Sequence, residues 1–369
     1  MKIRTAVAMG IGGALWLTLA IRPYASGALL MEIDWRAGAL PAAIGSNYTV
    51  VGALDGGGGF YWIPRTGGIF NGGVASAGVS GDGRTIVGSA LDHGGIEQAA
   101  IWLQRTEWQL LGSFSPTAVP CDKTLSAAYG VSRDGQVVVG LAWDGCKVGH
   151  AFRWNASGGV VDLGSSVADQ SSLASGVSGD GHVVVGYQNS ATGYRQGARW
   201  LNGREELIPG ADGYVGQARA ANIDGSVLVG QICRPALGSD VDQSAWMWTA
   251  KDGTTCLPAP QKITVPGPGV GPSIIVQANA TSDDGQVIGG EQNVGGSADS
   301  NAIIWIGGRP AYLKDFLRVN GVPDAFATWV NTGTITGVTP NGQVLVGWGA
   351  AALGFRGYLV VLPSNPIMP

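Results

Sequence analysis

The stretch Ser178-Gly179-Asp180-Gly181-His182-Val183-Val184-Val185-Gly186 decides the fold. A hydroxyl residue, an Asp-Gly turn and a β-branched run closed by glycine read as a tight turn entering a short strand. The pattern returns as SGDGRTIVG at Ser80–Gly88 and SRDGQVVVG at Ser132–Gly140. It drifts to NIDGSVLVG at Asn222–Gly230, SDDGQVIGG at Ser282–Gly290 and TPNGQVLVG at Thr339–Gly347. A seventh, weaker copy is IGSNYTVVG at Ile44–Gly52. There Asn47 is read in place of the turn glycine, because asparagine tolerates the left-handed conformation. The aspartates at 82, 134, 180, 224 and 284 are expected to cap their own turns.

A second signature trails each copy, a small residue three positions before tryptophan. It appears as Gly59/Trp62, Ala99/Trp102, Ala151/Trp154, Gly197/Trp200, Ala245/Trp248 and Ala302/Trp305, with Tyr358 in the corresponding region of the last copy. One large apolar side chain at a fixed place in every unit is expected to pack unit against unit. Each unit reads as four short antiparallel strands, and the closing glycines are 36 to 60 residues apart. These are the dimensions of propeller blades, so the expected fold is all-β, a seven-bladed β-propeller of four-stranded antiparallel blades. The segment from Met31 to Trp35 has no unit of its own. It is expected to close the ring as the outer strand of the last blade, against the strand from Gly357 to Leu362.

Lys2 and Arg4 precede an apolar run from Ala6 to Ile21, and Ser26 and Ala28 suit a cut before Leu29. Residues 1–28 therefore read as a signal peptide and 29–369 as the propeller domain, with no membrane span after signal removal and a secreted, periplasmic or cell-surface location. Four cysteines in an exported chain suggest two disulfides. Strand order puts Cys121 and Cys146 on loops of the third blade, and Cys233 and Cys256 on the fifth. The expected bridges are Cys121–Cys146 and Cys233–Cys256. A net charge of −4, without a Lys/Arg cluster, argues against nucleic acid as a partner.

The tripeptide His150-Ala151-Phe152, together with the Ser-x-Asp-Gly-x-x-Val-x-Gly element, resembles the bacterial extracellular HAF-repeat family. The resemblance covers almost the whole mature chain and implies export and a propeller-like fold; it implies no activity. Sialidase Asp-boxes are a poorer match, since they separate Asp from Gly and these turns do not.

Four-strand order also divides the loops. Inner-to-second and third-to-outer turns share one rim and are short. The remaining loops share the opposite rim and vary in length and composition, so that rim is the expected working face. Its candidate ligand-binding residues are Asp92, His93, Trp143, Asp144, Trp329 and Trp348, with Asp240, Asp242 and Asp299 as further carboxylates. His150 is read as a packing residue, and Arg153 and Arg199 as partners for turn aspartates between blades. No catalytic set, cofactor or metal site is read, Asp240-x-Asp242 being a weak calcium motif. The functional expectation is a monomeric, non-enzymatic module binding glycan or protein. The alternative is a hydrolase or lyase acting on a polysaccharide, with carboxylates or His93 at the channel mouth.

Overall fold

The computed structural model describes residues 27–33, 38–64, 66–103, 107–115, 118–210, 213–233, 244–260, 274–294 and 300–369. The first six repeats each form four consecutive antiparallel strands, and the last forms three. In the fourth these are Ser172–Val177, Val183–Asn189, Arg195–Leu201 and Arg204–Leu207. The inner strands of the others are Ala39–Ile44, Ala75–Val79, Ser126–Val131, Ala218–Ala221, Ile274–Thr281 and Thr334–Val338. The fifth and sixth repeats join into one larger sheet through the pair Gln231 and Gln277.

The turn motif is a hydrogen-bond relay. Ser178 Oγ accepts the Val183 N–H at 2.9 Å and donates to Asp180 Oδ1 at 2.6 Å. The same oxygen of Asp180 accepts the His182 N–H at 3.0 Å. Ser80, Ser132, Ser282 and Thr339 repeat the arrangement with Asp82, Asp134, Asp284 and Asn341. The turn glycines are left-handed, with φ of 77° at Gly181. In the first repeat the reading of Asn47 needs correction. Asn47 takes the aspartate's role, accepting the Thr49 N–H at 3.0 Å, and the left-handed residue is Tyr48 at φ 66°. The first turn is one residue shorter, which moves the strained position onto a tyrosine.

The closing glycine has a steric cause. Each inner strand carries a bulge, as between Ala174 and Gly176, that presses a carbonyl onto the second strand. A Cβ at Gly186 would overlap the Leu173 carbonyl, and a Cβ at Gly140 that of Ala127. No other residue type fits there.

Neighbouring sheets pack face to face through the tryptophan row. Trp200 is 1% exposed among Val137, Val139 and Ala151 of the third repeat and Ala174, Val184 and Ala198 of its own. Trp102, Trp305 and Tyr358 are buried in the same manner, whereas Trp62, Trp154 and Trp248 are half-buried. The small residue before each tryptophan lets the next inner strand approach: the Ala99 and Ala151 N–H groups donate to Ser126 and Ser172 Oγ at 2.9 and 3.0 Å.

Leu29–Ile33 pairs antiparallel with Gly354–Val361, in register from Leu29 opposite Val361 to Ile33 opposite Gly357. The partner strand is the expected one; the segment begins two residues earlier than read, and Trp35 lies outside the described residues. Ile33, Val344, Val346 and Leu359 of this last sheet share a core with Ile44 and Val50 of the first repeat.

A helix, Leu313–Val319, follows the sixth repeat and buries Leu313, Phe316 and Leu317 in a core shared by that repeat and the last sheet. Just after it, Asn320 ties both ends of the described chain. Its carbonyl accepts the Ala28 N–H at 2.7 Å, and its side chain exchanges hydrogen bonds with the Ile367 backbone at 2.8 and 2.9 Å. Among the described residues no helix is long and apolar enough to cross a membrane.

Turn rims of adjacent repeats are stitched together. The Gly81 N–H donates to Arg133 O at 2.8 Å, Arg133 N–H to Gly179 O at 2.9 Å and Asp283 N–H to Pro340 O at 2.8 Å. Between the last and first repeats Pro340 has no N–H to offer, and Thr336 Oγ1 donates to Pro41 O at 2.8 Å instead.

Ser178→Ala leaves the buried Val183 N–H without its side-chain acceptor and should cost about 1–3 kcal/mol by denaturant unfolding. Gly186→Ala forces the bulge apart and should cost about 1–3 kcal/mol or more. Unchanged melting of either variant would contradict these roles.

Candidate binding site

Both cysteine pairs form as read: Cys121–Cys146 and Cys233–Cys256. Cys121, Asp122 and Cys146 cluster closely, but the two sulfurs are spent on each other and offer no thiolate to a metal. The first bridge fastens the loop entering the third repeat to the loop between its second and third strands. Asp144 reinforces that junction by accepting the Val119 N–H at 3.1 Å.

The other rim residues are likewise held by their own surroundings. Asp92 accepts from the Ile96 and Gly94 N–H groups at 2.9 and 2.8 Å and from Gln98 Nε2 at 2.8 Å. The Ile96 N–H is the main reason that its carboxyl lies below the ordinary range. His93 is exposed beside it. The Trp143 ring lies over Gly149 of its own hairpin. Trp329 stacks edge-on with Phe326 and Tyr358 at 5.1 and 5.9 Å, and its Nε1 donates to Glu32 at 3.2 Å. Trp348 meets Phe355 edge-on at 5.3 Å. Apart from His93, each of these side chains has a contact within its own repeat or to the strand beside it. Asp240, Asp242 and Asp299 lie outside the described residues.

Two further readings are corrected. Arg199 pairs with Glu206 at 2.8 Å and lies 4.5 Å over the Trp248 ring, not against a turn aspartate. The turn aspartates are already occupied by the relay. His150 does more than pack: its Nδ1 sits 3.0 Å from Asp162 Oδ2. That bond raises the His150 pKa, with burial opposing. Burial pushes the Asp162 carboxyl up, but hydrogen bonds from His150 and the Gly164 N–H outweigh it and leave it below the ordinary range.

Residues from the first to the last repeat line one cavity of about 180 Å³ at the turn rim, among them Ser46, Gly81, Arg133, Gly179, Asn222, Asp283 and Pro340. Turn-rim residues of every repeat thus face one shared cavity. Most of these residues occupy the variable position of the Ser-x-Asp-Gly turn. Arg133 Nη2 and Asp283 Oδ1 meet at 2.5 Å, 150 residues apart in sequence, and tie the third repeat to the sixth.

Toward the opposite, loop-bearing rim the fourth, fifth and sixth repeats bring together a polar cluster. Arg219 Nη2 donates to Gln277 Oε1 at 2.6 Å and Gln231 Oε1 at 3.1 Å. Gln217 Nε2 donates to Ser175 Oγ at 2.8 Å, and its Oε1 accepts from Arg195 Nη1 at 3.1 Å. Arg195 in turn lies 4.5 Å over the Tyr187 ring. Gln217 and Gln231 are 6% and 8% exposed, so these amides are fixed in place. Arg219 Nε is buried without a partner. Burial lowers the Arg219 pKa and raises that of nearby Glu291, an effect that Arg219's charge opposes. Cys233 follows Gln231 by two residues, so the second disulfide anchors this corner.

Sequence reasoning missed both features. The signal was present in the columns that vary while the motif stays constant. The turn's second residue runs Gly81, Arg133, Gly179, Ile223, Asp283 and Pro340. The column before the bulge runs Leu40, Ala75, Ala127, Leu173, Gln217, Gln277 and Thr334.

No protein-family model matches the chain, and comparison with curated protein sequences finds no significant match. Among solved structures, the β-propeller domain of the Trilobed protease from Pyrococcus furiosus, described as having an open velcro topology, superposes with a TM-score of 0.51 at 12% identity. The match covers 94% of this chain and 99% of that one. The fold is a β-propeller. Hydrazine synthase from Kuenenia stuttgartiensis matches at 12% identity over 89% and 96% of the two chains, with a TM-score of 0.48. TolB from Acinetobacter baumannii matches at 12% identity with a TM-score of 0.44, over 76% of this propeller and 61% of the TolB chain.

The His150–Asp162 pair makes the propeller's stability depend on pH in two directions. Because the folded His150 pKa is raised above 6.5, its contribution is full below that value and is lost as pH rises through the folded pKa. Asp162 is depressed below 3.8, so its contribution is lost as pH falls through its folded pKa. Asp162→Asn should bring the His150 titration down, as read from the imidazole resonances by NMR. It should also flatten the decline in melting temperature as pH rises from 6.5 through the folded His150 pKa.

Proposed function

We propose that the protein is an exported, non-catalytic binding module. It is a seven-bladed ring closed by Leu29–Ile33 as the outer strand of the last blade, and it takes a glycan at the loop-bearing end of its inner strands. The observation that carries this reading is the Arg219–Gln231–Gln277–Gln217 cluster. The positions equivalent to Gln217 and Gln277 hold Leu40, Ala75, Ala127 and Leu173 in the first four blades and Thr334 in the last, so four blades are built without a polar group there. Fixed amides beside an aromatic ring are the groups that recognise sugar hydroxyls and sugar faces.

Export rests on the basic-then-apolar segment at residues 1–28 and on the two disulfides, which belong to oxidising compartments. The HAF-repeat resemblance fits the same location. Binding is favoured over the hydrolase or lyase reading because the described rim carboxylates are engaged structurally: Asp92 by three donors, Asp144 by the Val119 N–H and Glu32 by Arg356 and Trp329. The protein acts as a monomer in this reading.

A glycan array probed with the exported chain, beside the Gln217→Leu/Gln277→Leu double variant, tests it. Leucine already occupies the equivalent positions 40 and 173, so the variant should fold. Wild-type glycan binding that falls at least tenfold in the variant is expected. Absence of glycan binding, or binding indifferent to the substitution, would refute the reading.

A further inference from the structure

Among the described residues, neither Arg195 nor Arg219 has a carboxylate within ion-pairing distance, whereas Arg133, Arg199, Arg318 and Arg356 each do. Glutamine carbonyls hold the two guanidiniums instead. An amide orients a guanidinium but leaves its charge uncancelled, and an uncancelled charge removed from water is costly. Arg219 is the extreme case, mostly buried and with Nε unpartnered. Arg195 is exposed and stacked on Tyr187, so the pair runs from the surface inward. At the bulge position that Arg219 occupies, the other blades carry Ala42, Ala77, Tyr129, Ser175, Asn279 and Thr336. The scaffold is therefore built without a cation there in those blades. Arginine presents paired donors in a planar fork that matches a carboxylate.

We infer that the Arg195–Arg219 pair recognises the carboxylate of an acidic sugar, so that the ligand is a uronate-containing glycan. This rests on the glycan-binding reading above and names its ligand class. Gln217, Gln231 and Gln277 hold the two forks, and the Tyr187 face backs the outer one. Selectivity for the acid follows from the guanidiniums: a neutral sugar gains nothing from them that water would not supply.

The test is isothermal titration of the full exported chain with oligomers of galacturonate, mannuronate and glucuronate, each beside its methyl ester. Esterification keeps the sugar's shape and removes its charge. At least one acid should bind tenfold or more tightly than its ester, and its affinity should fall as salt is raised. Arg219→Ser copies the residue at the equivalent position 175 and should weaken the acid at least tenfold with little change for the ester. Arg195→Ala, at an exposed position, provides the same readout without risk to folding. Equal binding of acid and ester, or acid binding unaffected by either substitution, would overturn the inference. Neutral glycans bound through Gln217 and Gln277 while all three acids fail would overturn it and leave the glycan reading standing. Failure with every glycan would overturn both.

Discussion

A serine hydroxyl that accepts one backbone N–H and donates to one carboxylate holds the second, third, fourth and sixth blades in shape, and close variants serve the others. Ser178 Oγ accepts the Val183 N–H on one side and donates a hydrogen bond to Asp180 on the other; Asp180 also accepts the N–H of His182. The relay fixes the turn, the turn fixes the register of inner and second strands, and the register places the bulge opposite the closing glycine. Everything farther out follows from that placement, including the sheet face on which the tryptophans fall. Because the relay is local in sequence, each blade can define its own geometry before it meets a neighbour. Contacts between blades come afterward, through Trp200 and its counterparts.

The same economy explains why the variable residues gather where they do. Motif positions are committed to the relay, the bulge and the interface. Freedom remains at the second turn residue, at the inner-strand positions flanking the bulge, and in the loops. Charge placed at the first of these meets across the shared cavity, as Arg133 and Asp283 do. Charge placed at the second meets between adjacent inner strands, as in the Arg219 cluster. The rim loops are instead consumed in holding themselves together, with Asp92 and Asp144 satisfying local N–H groups.

The repeat, the strand count within each blade, the role of the turn aspartates and both disulfides were legible because each depends on spacing along the chain. The partner of Leu29–Ile33 was legible because the last repeat lacks an outer strand. Asn47 was misread because alignment by letter cannot see a one-residue deletion in a turn; only the hydrogen bond to Thr49 shows that it stands for aspartate. Arg219, Gln231 and Gln277 went unnoticed because no motif contains them. They lie in three separate stretches and become neighbours only when two inner strands and the end of a second strand are laid side by side. The contacts of Trp329 with Tyr358, and of Trp348 with Phe355, were not legible because they too join separate stretches of chain.

Pro340 gives the molecule a direction in which to come apart. At the other turn-rim junctions a backbone amide or, between the fifth and sixth repeats, the Asn222 side chain reaches across to the next turn. Between the last repeat and the first the imino nitrogen has no hydrogen to give, and that junction is tied farther from the turn, by Thr336 Oγ1 to Pro41 O and by the Gly38 N–H to Phe355 O. The turn rim is therefore easiest to part at that one seam.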